Sequence, residues 1–278
     1  MQAKGISREV CVFEVKHHFL ATDWSDLRGV YPRTHALEYE PKKEDVELVA
    51  QAYRENPTNL WLAEEFVVMK MLYEYDRLES VNKLGDTVAL RQAYEPAEHV
   101  LRRLTTSDHR DAVLLTMRGF VVGEYKDFVT EQRLYREALQ LDEQYAEAHW
   151  YLGYSKSAQL HDELQQQGLE KTTYANLTDD QKERVRDIIT DYGTAIELNP
   201  FQPWMRYDLA CELARWASTK TEIKEATDAL VNAVRLNPKI ADSVGEEGYL
   251  DSIRDQPSVK ALLSNSPPNA RSLDDGGE

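Results

Sequence analysis

Cysteine is nearly absent from this chain. Cys11 and Cys211 are the two in 278 residues, 200 positions apart, and no CxxC occurs. That count fits neither a disulfide framework nor a cysteine zinc site, and it suits a reducing compartment. Long apolar runs are missing too: no stretch approaches the roughly 18 residues a membrane span needs. The N-terminal MQAKGISREVCVFEVKHHFLATDW lacks the uncharged apolar core of a signal peptide. These absences lead us to expect a cytoplasmic protein without a membrane partner. Positive charge is also in short supply. Lys and Arg number 33 against 49 Asp and Glu, for a net charge of −16. Neutralising phosphates needs clustered cations, so nonspecific binding to nucleic acid or anionic lipid is disfavoured, whereas a basic partner is permitted.

Catalytic signatures are lacking as well. There is no GxGxxG or GxxxxGK[ST] phosphate cradle, and no HExxH, EF-hand loop or GxSxG. His17 and His18 are adjacent, so their side chains diverge on a helix and alternate across a strand, which opposes shared metal ligation. The carboxylate pairs Asp179-Asp180 and Glu246-Glu247 read as caps or solvated surface in so acidic a chain. No cofactor and no metal are expected.

What is present is a repeated word. Gly119 and Gly153 stand 34 residues apart, as do Ala112 and Ala146. Between them runs Tyr135-x-x-Ala138-Leu139-x-Leu141-Asp142. The word returns as Tyr192-x-x-Ala195-Ile196-x-Leu198-Asn199-Pro200 and as Leu230-x-x-Ala233-Val234-x-Leu236-Asn237-Pro238. A large residue, a small one three later, and apolar residues just beyond form one face of a helix. The Ala admits a close neighbour, and Asn-Pro stops the helix because Pro has no N–H to give.

This pattern resembles the tetratricopeptide repeat, a 34-residue pair of antiparallel helices. Leu152-Gly153 matches the family's first helix. Tyr192, Ala195 and Pro200, then Leu230, Ala233 and Pro238, match its second, and Tyr207–Cys211 resembles a first-helix variant. The resemblance covers residues 112–238 and implies an all-α, right-handed superhelical αα solenoid. Two departures stand out: Glu131 replaces a small residue, and Glu143 replaces the terminal Pro. Tyr135 to Tyr192 spans 57 residues, 23 beyond the period, so the second repeat holds an insertion over roughly 159–187. Thr178-Asp-Asp-Gln181 reads as a capping box, which predicts a helix starting near Asp179.

Upstream the pattern fades. Asp45–Arg54, Leu60–Lys83 and Thr87–Leu104 read as helices, the last two as an enlarged hairpin. Residues 1–40 allow either a helix (Ile6, Val10, Phe13, His17, Leu20) or a strand over Val10–Val15. The expected organisation is therefore an atypical N-terminal region, 1–105, and a repeat array over 106–263. Glu246–Leu263 resembles the segment that closes some bacterial arrays, a cap that solenoids need, and its Tyr249, Leu250, Ile253, Leu262 and Leu263 are expected to pack on the helix that carries Leu230 and Val234. Residues 264–278 form an acidic tail expected to lack order.

The resemblance places first-helix residues on a concave face. By that register the face carries Phe120, Trp150, Tyr154, Trp204, Tyr207 and Arg215. Aromatics are frequent interface hot spots, although the N-terminal region or the insertion offers a competing way to bury them. Lys and Asn are missing from these positions, so the clamp by which some members hold acidic chaperone tails is not expected. The function read from the sequence is a non-enzymatic adaptor that binds a protein or peptide, with self-association compatible. The alternative is an all-α enzyme or ligand sensor whose site forms between the N-terminal region, 1–105, and the groove, with His17, His18, Asp23 and His35 as the residues to look at.

Overall fold

The computed structural model describes residues 42–57, 60–83, 85–106, 111–245 and 247–265. His17, His18, Asp23, His35 and Cys11 lie outside them, as does the expected tail over 264–278 from residue 266 on; residues 264 and 265 end the last helix instead. Helix accounts for 80% of the described residues, and no strand occurs among them. The chain divides by internal packing into two compact units, Met1–Tyr151 and Leu152–Glu278.

In the N-terminal unit, α1 (Lys43–Glu55), α2 (Leu60–Ser80), α3 (Thr87–Thr105), α4 (Ala112–Gly123) and α5 (Phe128–Leu141) follow one another, each packing on the next. Side-chain caps set their starts: Asp86 accepts from Val88 and Ala89, Asp111 from Leu114, and Asp127 from Thr130. Each satisfies an N–H that the first helical turn leaves without a partner. Asn56-Pro57 ends α1, as the sequence indicates. Tyr53 of α1 stacks on Phe66 of α2, ring centres 6.0 Å apart. Buried Glu98 of α3 is bonded by Arg102 and by Arg118 Nε of α4 at 3.1 Å, so a carboxylate inside the unit is paired.

The α4–α5 hairpin explains the first departure from the repeat pattern. A Cβ on Gly119 would stand 2.4 Å from the Tyr135 ring, and one on Gly123 would stand 2.4 Å from a Glu131 carboxylate oxygen. Going up α4 by four residues thus means going down α5 by four, which is an antiparallel register. Glu131 is tolerated where a small residue is usual because Gly123 faces it and the Tyr135 hydroxyl donates to it at 3.1 Å. GxxxG serves close helix packing here. Gly119→Ala is therefore expected to cost about 1–3 kcal/mol by overpacking against a buried ring. Gly193→Ala, whose added methyl meets nothing within 4 Å, is expected to gain up to about 1 kcal/mol through helix propensity. Opposite shifts of the melting temperature for these two substitutions check the packing.

In the C-terminal unit the helix α6 (Ala146–Gln166), whose first residues belong to the other unit, runs about two turns past an ordinary repeat helix. A turn through Gly168 at φ +70° and a 3-10 turn at Tyr174–Asn176 lead to α7 (Asp179–Leu198). The capping box is present: Gln181 N–H donates to Thr178 Oγ1 at 3.2 Å, and Thr178 N–H to Gln181 Oε1 at 2.9 Å. Lys156–Asp191 at 2.6 Å and Arg184–Glu163 at 2.5 Å tie α6 to α7. Gly153 lies against Tyr192, so the glycine–tyrosine contact of α4–α5 recurs here. Then come α8 (Pro203–Trp216) and α9 (Lys220–Leu236), which packs on α8, with a second capping box at Thr219 and Glu222.

The chain closes with a cap of short elements: α10 (Ile240–Val244), a 3-10 turn (Gly248–Leu250), α11 (Asp251–Arg254) and α12 (Pro257–Asn265). They pack on both α8 and α9. Leu250 and Ile253 are buried, as the sequence suggests, together with Ile240, Val244 and Val259. Tyr249 is instead exposed and Leu262 and Leu263 half-buried, because the 3-10 turn aims Tyr249 along α8.

Candidate functional site

The first-helix residues of the repeats fall into two settings. In the N-terminal unit, Trp150 stacks on Tyr151 at 4.8 Å, Tyr135 stacks on the same ring at 5.8 Å, and Phe120 meets it edge-on at 5.8 Å. Trp150 and Phe120 are buried in this aromatic cluster. In the C-terminal unit, Trp204 and Tyr207 are also buried, edge to face at 5.4 Å, whereas Tyr154 is 40% exposed. Arg215 is half-buried, its guanidinium 5.0 Å from the Trp216 ring centre and 4.7 Å from that of Tyr249.

Below Arg215 lies a polar cluster that the sequence did not single out. Glu212 is 3% exposed, and each of its oxygens is taken. Ser157 Oγ of α6 donates to Oε2 at 2.6 Å, and Trp216 Nε1 donates to Oε1 at 2.7 Å. Burial pushes the Glu212 carboxyl up, while the Ser157 and Trp216 donors and the Arg215 charge pull it down. His161, one turn beyond Ser157, faces the Trp216 and Tyr249 rings at 6.2 and 5.2 Å. Its Nε2 is buried, has no hydrogen bond, and stands 3.8 Å from Glu212, outside hydrogen-bond range. Burial first, then the Arg215 charge, lowers its pKa to about 3.

The signal for this cluster is a spacing. Ser157 and His161 on α6, like Glu212 and Trp216 on α8, are four residues apart, and both cross-helix pairs are separated by 55 in sequence. Neighbouring first helices therefore run in register, and a hydroxyl is delivered to a carboxylate, an imidazole to an indole. Cys211 is close by. Burial raises its thiol well above the usual range, which keeps it a poor nucleophile. The Ser157 hydroxyl is spent on Glu212 rather than aligned with an imidazole, so the cluster is a braced floor rather than a nucleophile and base. Among the described residues no three His, Cys, Asp or Glu side chains converge on a metal position, and no helix is long and apolar enough to cross a membrane.

The His161 environment sets a pH dependence. In the unfolded chain an exposed histidine takes up its proton near 6.5, but the folded chain holds His161 neutral down to about pH 3. Its contribution to stability is complete above pH 6.5 and declines as pH falls from 6.5 toward 3, by at most about 1.4 kcal/mol per pH unit. Glu212 acts the opposite way, since its raised pKa lets the folded state gain a proton first. His161→Phe is expected to lose less stability than the parent between pH 6.5 and 5, measured by urea denaturation at each pH.

No family model matches the chain, and no curated protein matches it. Among solved structures, one titled "Crystal structure of MamA" aligns at 14% identity, covering 80% of this chain and 98% of that one, with a TM-score of 0.40.

Proposed function

We propose that this protein is an interaction scaffold that acts by association, holding a protein or peptide against the first-helix face of its C-terminal unit. The reading rests on one observation: an accessible aromatic, Tyr154, and a half-buried guanidinium, Arg215, stand on helices locked to each other by the buried Ser157–Glu212–Trp216 bonds. A surface fixed before the partner arrives loses little entropy on binding. Trp204 and Tyr207 back the face from inside and, in the N-terminal unit, Phe120 and Trp150 hold α4 and α6 in place. The tetratricopeptide resemblance supports the same reading by fold-level analogy. The acidic balance and the scarcity of cysteine suit a cytoplasmic protein that needs no cofactor.

The test is selection of displayed random 12-residue peptides on the full-length chain, followed by calorimetric titration of the winners. Saturable one-to-one binding, weakened about tenfold or more by Tyr154→Ala with the melting temperature lowered by no more than a few degrees, is expected. Failure to select any saturable ligand, or binding indifferent to Tyr154→Ala, overturns the assignment of this face.

A further inference from the structure

Arg215 is the one half-buried arginine among the described residues without a hydrogen-bonding or ion-pairing partner. The other half-buried guanidiniums are engaged: Arg118 with Glu98, Arg184 with Glu163, Arg206 with the Pro200 carbonyl, and Arg254 with Asp251 and the Glu247 carbonyl. Partial burial of an unpaired charge is unfavourable, and a chain with 49 acidic residues had ample means to pair it. Two aromatic rings stabilise the guanidinium in place, Trp216 from its own helix and Tyr249 from the cap. Glu212, three residues earlier, makes no hydrogen bond to Arg215; its two oxygens accept from Ser157 and Trp216. The result is a guanidinium set against two rings, its central carbon 5.0 Å from the Trp216 centre and 4.7 Å from the Tyr249 centre, with no hydrogen bond or ion pair to a described residue.

Building on the scaffold reading above, we infer that Arg215 and Tyr249 form a carboxylate-binding subsite, which takes an Asp or Glu side chain of the bound peptide. Arginine binds a carboxylate through two parallel N–H···O bonds, and the contacts with the two rings restrict where the guanidinium sits. The neighbouring first-helix positions, Tyr207, Cys211 and Ala214, bring no second cation. The subsite therefore offers a single fork, which an acidic side chain reaches from a passing strand or helix without needing the end of a chain. The net charge of −16 repels an acidic ligand at long range, so recognition here depends on direct contact rather than on steering.

The experiment uses the selected 12-residue peptides and the full-length chain. Asp or Glu is expected at one fixed position among the winners, with Glu→Gln at that position weakening binding about tenfold, and C-terminal amidation leaving affinity unchanged. Selection repeated on Arg215→Gln is expected to return peptides without that acidic position, and Arg215→Lys to recover only part of the preference. Tyr249→Leu, which removes the exposed ring while leaving the buried cap residues intact, is expected to weaken the acidic peptides several-fold at an unchanged melting temperature. Winners with no acidic preference, or with Lys or Arg enriched instead, overturn the subsite and leave the scaffold standing. Dependence on a free C-terminus overturns the side-chain assignment. Absence of any peptide ligand overturns both readings.

Discussion

A chain ending at Lys239 is expected to lose most of the stability of its C-terminal unit. The cut removes α10, α11, α12 and the 3-10 turn, and with them Ile240, Val244, Leu250, Ile253 and Val259, each 0% exposed. It also strips cover from α8 and α9, on which these elements pack. Leaving a large apolar side chain in water costs about 1.5–3 kcal/mol, and each such side chain uncovered on α8 or α9 adds a cost of that size. A whole domain is stable by only about 5–15 kcal/mol. The bond from Ser252 Oγ to the Ala214 carbonyl at 2.5 Å and the Arg215–Tyr249 contact go as well. Circular dichroism melts and sedimentation should show a melting temperature lowered by ten degrees or more, with self-association through the bared face. A chain ending at Asn265, which keeps every cap helix, is the control and should melt like the parent. A Lys239 truncation that stays monomeric and melts unchanged would show that α8 and α9 do not need the cap.

Much of the fold was legible because helix patterning is local. Asn56-Pro57 and Thr178–Gln181 mark their helix boundaries through the chemistry of proline and of a hydroxyl near an N–H, and neither depends on distant residues. The repeat word carried the hairpins for the same reason: Gly119 with Tyr135 and Gly153 with Tyr192 are contacts between neighbours in sequence order. The floor of the candidate site was less legible. Glu212 reads in sequence as one more acidic residue on an amphipathic helix. Its burial depends on Ser157, 55 residues away, meeting it across two first helices. Likewise Tyr249 was expected in the cap core, and only the direction of a 3-10 turn sends it toward Arg215 and His161. Periodicity gives the face of a helix, but how deeply a face is covered depends on what packs over it.

That distinction yields the second large effect, on α6, where Trp150 and Tyr154 are one turn apart and share the same expected face. Trp150 is 1% exposed and Tyr154 is 40% exposed. Trp150→Ala removes the largest side chain from a stack in which Tyr151 is also held by Tyr135 and Phe120. Cutting a buried aromatic to Ala costs about 3–5 kcal/mol, because the lost transfer energy is joined by the cavity left behind. The broken ring pair adds about 0.5–1.5 kcal/mol. Tyr154→Ala, with much of its surface already in water, is expected to cost about 1 kcal/mol or less. Urea denaturation of both variants, read beside their affinity for the selected peptides, separates the roles. Trp150→Ala should shift the midpoint strongly, and any loss of binding should follow the unfolded fraction. Tyr154→Ala should leave the midpoint nearly in place and lose affinity in the folded state. If Trp150→Ala keeps its midpoint and loses binding, then Trp150 contacts the partner directly and the aromatic stack is not what holds this helix.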